Sequence, residues 1–235
     1  MSDYDKYKDD VTDDIKTCIE AMGCQPILFV GSGLTKRYLN GPNWEELLHS
    51  LSEMCPEIDK KFAYYLQRYP NLVDIGTVFS EKFNDWAWSG GEDEFPGELF
   101  GSGNESDIYF KHAVCETFKK LLSETSTTDN DEIELLKKIH PHSIITTNYD
   151  CLLESIFPDY APIIGQRILY ANHSSIGEIF KIHGCASDSR SVVITREDYD
   201  NFLKKKKYLS AKMLAFFAEH PLIFVGYSAE DPNIR

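Results

Sequence analysis

Apolar residues cluster along this chain in two rhythms, one near 3.6 residues and one of short unbroken runs. Residues 12–22 place Ile15, Cys18, Ile19 and Met22 on one face, which predicts a helix ended by Gly23. Residues 1–14 are charged and lack an apolar stripe, so they are expected to fray or to form a short partner-dependent helix. Residues 44–80 return to helical spacing, divided by Pro56 and Pro70 into at least two helices, with Asn43 as N-cap and Glu46 completing a capping box. Residues 108–122, 132–139, 151–156 and 197–217 read as further helices. The segment 84–107 is rich in glycine and acids and reads as a long irregular insertion, held down by Trp86 and Trp88. Residues 123–130 read as a polar linker.

The unbroken apolar runs read as buried strands. They are Ile27–Val30, Ser143–Thr147 and Leu222–Val225, with an alternating strand at 178–182 and brief strands at 163–169 and 192–194. Strands separated by helices predict an α/β fold, a Rossmann-like parallel sheet flanked by helices, with an insertion after the first strand. The expected organisation is a single domain over 1–235, with the insertion at about 44–125 and truncated at its C-terminus.

Four strand ends carry small or polar residues: Gly31-Ser32-Gly33, Asn148, His183-Gly184 and Gly226-Tyr227-Ser228. In an open parallel sheet the carboxyl ends of the strands line one crevice, where ligands bind. A glycine turn lets backbone N–H groups approach an anion. Here it lacks both a full G-x-G-x-x-G and a P-loop lysine. Asn148 offers a donor and an acceptor at a strand end, while Asp150 suits an N-cap for the following helix. His183 can accept a proton near neutral pH, and Gly184 leaves room beside it. His49, His112, His140, His142, His173 and His220 sit in helix or loop contexts and read as structural. The run Lys204–Lys207 reads as a solvated helix face.

Composition narrows the field. The chain has 235 residues, 42% hydrophobic, enough for one core. A net charge of -14 argues against direct nucleic-acid binding, although backbone donors still hold a small anion. The six cysteines include no C-x-x-C pair, so they are expected to be reduced, mostly buried thiols in a cytoplasmic protein, with no metal. No apolar run approaches a membrane span.

Taken in order, the motifs FVGSGLT, NWEELL, ITTNYD, IFKIHG and FVGYSAEDPNIR resemble the sirtuin-like NAD-hydrolase domains of bacterial anti-phage defence proteins, over roughly residues 24–235. The resemblance implies NAD+ as substrate, cleaved at the nicotinamide–ribose bond to nicotinamide and ADP-ribose, with depletion of NAD as the defence. It implies Asn148 and His183 as catalytic residues. It implies cofactor contacts from Gly31, Ser32, Gly33, Leu34, Thr35, Thr147, Asn148, Asp150, Gly226, Tyr227, Ser228 and Asp231. It also implies a homo-oligomer, with a HerA-type ATPase or a phage-derived activator as partner. Protein-deacylating sirtuins carry a four-cysteine zinc module after the histidine, whereas only Cys185 follows His183 here. That departure argues against a deacylase. A catalytically silent nucleotide-binding scaffold is the alternative from another class.

Overall fold

The computed structural model describes residues 2–124, 131–165, 176–205 and 207–227. Five parallel strands form one sheet: β1 (Ile27–Val30), β2 (Ser143–Thr146), β3 (Ala161–Ile164), β4 (Glu178–Lys181) and β5 (Leu222–Val225), ordered β3-β4-β2-β1-β5. In the register Ile27 faces Ser143 on one side and Leu222 on the other, and Ile144 faces Ile179. Every residue of β1, β2 and β4 is buried. The α/β fold with a Rossmann-like parallel sheet is therefore as the pattern implies. β5 lies on the opposite side of β1 from β2, so the connections change direction there, the place where such sheets open a crevice.

The side chains of β1 alternate between two cores. Leu28 and Val30 join Leu34 and Leu39 of α2 (Ser32–Leu39), Ile133 of α7 (Asp131–Lys137) and Leu152, Leu153 and Ile156 of α8 (Leu152–Ile156). Ile27 and Phe29 pack on the other face with Ile145, Phe180 and Phe216 of α10 (Lys207–Glu219). A third core binds the helices between β1 and β2: α3 (Trp44–Met54), α4 (Phe62–Arg68), α5 (Leu72–Ser89) and α6 (Ile108–Glu124). It reaches Tyr149, Ala186, Val192 and Ile194, so the inserted helices are fused to the loops at the strand ends.

Several expectations are corrected. Residues 3–22 form one continuous helix, α1 (Asp3–Met22), because Ser2 and Asp5 make a capping box and Gly23 closes it in the left-handed region. None of its residues is buried. α5 continues through Trp86 and Trp88 to Ser89, so the irregular stretch begins only at Gly90, whose φ of 142° ends the helix. Trp86 packs on Phe95 and Trp88 on Phe100, which pins that stretch as anticipated. Residues 192–194 are not a strand, since the Val193 N–H bonds to His183 O while no strand among the described residues continues the pairing. β4 is not half-exposed, because β2 and β3 flank it and helices cover both faces. Of the linker expected at 123–130, Ser123 and Glu124 belong instead to the end of α6, and 125–130, with the remainder of the 163–169 strand, Ser228 and Asp231, lie outside the described residues. So do the side chains of Lys204, Lys205 and Lys207, and Lys206 entirely.

Candidate active site at the strand ends

The site begins where β1 stops. Gly31 is the N-cap of α2, and its N–H continues the ladder to Val225 O at 3.0 Å. A Cβ on Gly31 would lie 2.5 Å from Gly226 O and 2.6 Å from Tyr227 Cα. One on Gly33 would lie 2.7 Å from Gly226 Cα. The glycines thus allow the turn after β5 to lie directly on the turn after β1. In this closed arrangement the Gly33 N–H donates to Gly226 O at 2.8 Å, so that donor, expected to face a phosphate, is held by the protein.

Beneath this turn lies a buried network. Asn148 Nδ2 donates to Gly31 O at 2.9 Å and to Thr35 Oγ1 at 3.0 Å. Thr35 Oγ1 donates in turn to Asp150 Oδ2 at 2.5 Å. Asp150 Oδ1 accepts the Leu152 N–H at the start of α8. The Asn148 N–H rests on Thr146 Oγ1, which itself donates to Val30 O. With both amide hydrogens committed, Asn148 has its Oδ1 as the acceptor that remains to meet a hydroxyl or a water. Asp150 spends both oxygens inside the protein; the N-cap of α8 is Cys151, one residue later than expected, although Asp150 Oδ1 accepts the Leu152 N–H in place of a cap side chain.

His183 follows β4, next to β2 in the sheet. The Ile182 N–H still bonds to Thr146 O, and the His183 carbonyl accepts the Val193 N–H at 2.9 Å. Its ring meets Tyr199 edge-on at 5.6 Å, and Tyr199 stacks on Trp44 at 6.0 Å. Gly184 adopts a φ of +92°, and a Cβ there would fall 2.2 Å from Ser191 O. Only glycine permits that turn. Asn148 and His183 are 8% and 3% exposed.

The structure therefore brings Gly31, Ser32, Gly33, Leu34, Thr35, Thr147, Asn148, Asp150, His183, Gly226 and Tyr227 to the carboxyl side of adjacent strands. Sequence reasoning missed several neighbours. Tyr199 and Trp44 back the histidine, and Trp44 Nε1 is a buried donor without a hydrogen-bond partner. The other omission is a polar cluster behind the two loops. Lys181 is fully buried, and its ammonium donates to Asp150 O and, at 2.9 Å, to Glu154 Oε1. Burial, the largest single influence, would lower the Lys181 pKa, but the charges of Glu154, Cys185, Cys151 and Asp150 together outweigh it and raise the pKa. Burial in turn raises the Glu154 carboxyl.

Cys151 and Cys185 complete this cluster with their sulfurs 3.5 Å apart. Among the described residues, Cys151, Glu154 and Cys185 form a group with the reach to hold a cation, their ligand atoms lying within 4.8 Å of one another. The Lys181 ammonium already supplies the positive charge there. Adjacent strand ends gave the one available signal: each cysteine follows its site residue by two or three positions.

Residues 142–235 match the family model described as a SIR2-like domain. The chain is 28% identical over 221 residues to Defense-associated sirtuin 2 of Bacillus subtilis, covering 86% of this chain and 22% of that protein. It is 24% identical over 218 residues to NAD(+) hydrolase ThsA of Acinetobacter baumannii (strain 532279), covering 88% of this chain and 37% of that protein. It is 26% identical over 113 residues to NAD(+) hydrolase ThsA of Bacillus cereus (strain MSX-D12), covering 46% of this chain and 23% of that protein. The chain thus spans well under half the length of each. These likenesses bear out the resemblance to sirtuin-like NAD-hydrolase domains of bacterial defence proteins.

Proposed function

We propose that this chain hydrolyses NAD+ at its nicotinamide–ribose bond, with Asn148 and His183 at the reacting centre, and that it acts in defence by depleting NAD. The observation that carries the reading is the locked Asn148 amide. Its two hydrogens go to Gly31 O and Thr35 Oγ1, which fixes an oxygen acceptor at the end of β2, one strand from His183. The names of two relatives, both NAD(+) hydrolases, agree with it.

Departure of nicotinamide leaves an oxocarbenium-like ribose, which water then attacks. Asn148 Oδ1 is suited to orient that water or a ribose hydroxyl, and its fixed position removes orientational freedom that the reaction would otherwise have to lose. His183 is suited to take the proton released. Trp44 Nε1 is the buried donor left to meet a ligand oxygen. The pyrophosphate would lie along Gly31–Thr35, at the N-terminus of α2. Gly33 gives its N–H to that group only when the Gly226–Tyr227 turn lifts away. We take 1–235 as one domain with its insertion at about 44–125, homo-oligomeric and restrained until a partner or a phage product acts.

Purified protein incubated with NAD+ is expected to release nicotinamide, measured by chromatography. Asn148→Ala and His183→Ala are each expected to lower the rate by about 100-fold or more. The low exposure of both residues favours a second reading, a module that binds NAD without turnover in this closed state. Tight binding by calorimetry with no nicotinamide released would select that reading. No binding at all would remove both.

A further inference from the structure

The sulfurs of Cys151 and Cys185 do not merely share a core. Cys151 stands at the N-cap of α8, three residues after Asn148, and is partly exposed. Cys185 is buried two residues after His183, in a tight turn whose Cys185–Asp188 bridge and Cys185 N–H to Ser191 Oγ bond fix its backbone. A gap of 3.5 Å separates sulfurs that a disulfide would bring to about 2.05 Å. All six cysteines are free. We propose that Cys151 and Cys185 are a hydroperoxide-sensitive dithiol whose closure to a disulfide ties the loop of Asn148 to the loop of His183.

The surroundings prepare one sulfur for attack. The hydrogen bond shared with Cys151 and the charge of Lys181 lower the Cys185 pKa, while the same bond and burial raise that of Cys151. Burial has the opposite effect on Cys115, pushed up to about 11, and it also raises Cys55, so both stay inert thiols. In the first step the Cys185 thiolate attacks hydrogen peroxide. The O–O bond breaks, an S–O bond forms, and the departing hydroxide takes up a proton as water. In the second step the Cys151 sulfur attacks the sulfenic sulfur. The S–S bond forms, the S–O bond breaks, and the leaving hydroxide takes the Cys151 proton as a second water. Two electrons pass from the pair to the peroxide.

The linkage requires Cys151 and Cys185 to approach, and each is bound to a residue of the proposed site. Closure therefore pulls on the Asn148 loop through Asp150, which the Thr35 bond holds, and on His183 through Gly184. That consequence for turnover rests on the NAD-hydrolase reading, whereas the linkage itself does not.

The test treats the reduced full chain with hydrogen peroxide, raising the dose until exposed Cys18 is oxidised, then blocks free thiols and maps peptides by mass. A Cys151–Cys185 linked peptide, lost on treatment with dithiothreitol and absent from C151S, is the expected result. Recovery of both cysteines as free thiols, or of Cys185 over-oxidised without a link, overturns the dithiol. In parallel, nicotinamide release is expected to fall on oxidation, to return on reduction and to resist peroxide in C151S. A link with unchanged release removes the coupling to turnover. Absence of release from reduced and oxidised protein alike counts against the NAD reading and leaves the dithiol to the peptide map.

Discussion

Thr35 ties the Asn148 amide to the Asp150 carboxylate, beside the separate anchors each has in Gly31 O and the Leu152 N–H. Its hydroxyl accepts from Asn148 Nδ2 and donates to Asp150 Oδ2, all three residues being buried. Thr35→Val keeps the shape but leaves a buried amide hydrogen and a carboxylate oxygen short of partners. Each such group costs about 1–3 kcal/mol, so the urea midpoint is expected to fall. Nicotinamide release is expected to fall further than stability does, because the Asn148 amide then keeps only its Gly31 anchor. A variant that loses stability but keeps full turnover would separate the network from catalysis. Asn148 was legible as a candidate from its place after a β-branched run. Its lock was not, because Thr35 lies 113 residues earlier and only the fold brings the two together. Tyr199 behind His183 was hidden for the same reason.

Between elements, a buried polar tie runs from β4 to α8. Lys181 looked like the outward residue of an alternating strand, but helices cover both faces of the sheet, so the ammonium is enclosed and needs Glu154. Removing one partner of a buried pair costs about 3–5 kcal/mol, whereas replacing both with apolar groups is close to neutral. Lys181→Met is therefore expected to be strongly destabilised in urea titration, and adding Glu154→Leu is expected to restore most of the loss. Equal losses in the single and double variants would show that the pair contributes little. Element types were read well wherever an apolar rhythm had a cap: the Asn43–Glu46 capping box starts α3 where the sequence placed it. They were misread where local propensity and tertiary pairing disagree. Val192-Val193-Ile194 is β-branched but has no strand beside it, and the glycines at 90 and 91 drew the insertion back over the last turns of α5.

At the scale of the molecule, histidines make stability depend on pH. Burial lowers the His112 pKa in α6, and burial with the charge of His220 lowers that of His142. The unfolded chain then binds protons that the folded one refuses, so stability rises with pH. The contribution is complete above the ordinary histidine value of 6.5 and is lost as pH falls below it toward the folded values. The thermal midpoint is expected to drop from about pH 7.5 to about pH 5.5, and His112→Gln is expected to flatten that slope. The raised carboxyl of Glu154 acts in the opposite sense, since protonation there favours the folded state, and its window lies above the ordinary glutamate value of 4.5.

The position of β5 bears on how the molecule comes to exist. β1 pairs with β2 on one side and with β5 on the other, and His220 meets Gln25 just before those paired strands across 195 residues of chain. Closing so long a loop costs entropy before it returns any contact, so this edge joins late and slows folding. During synthesis β1, β2 and β4, with the Asn148 and His183 loops, emerge from the ribosome well before Gly226. The glycine turn after β1 therefore waits for its cover, and a nascent chain carries the Asn148 and His183 loops ahead of the turn that lies over Gly31 and Gly33.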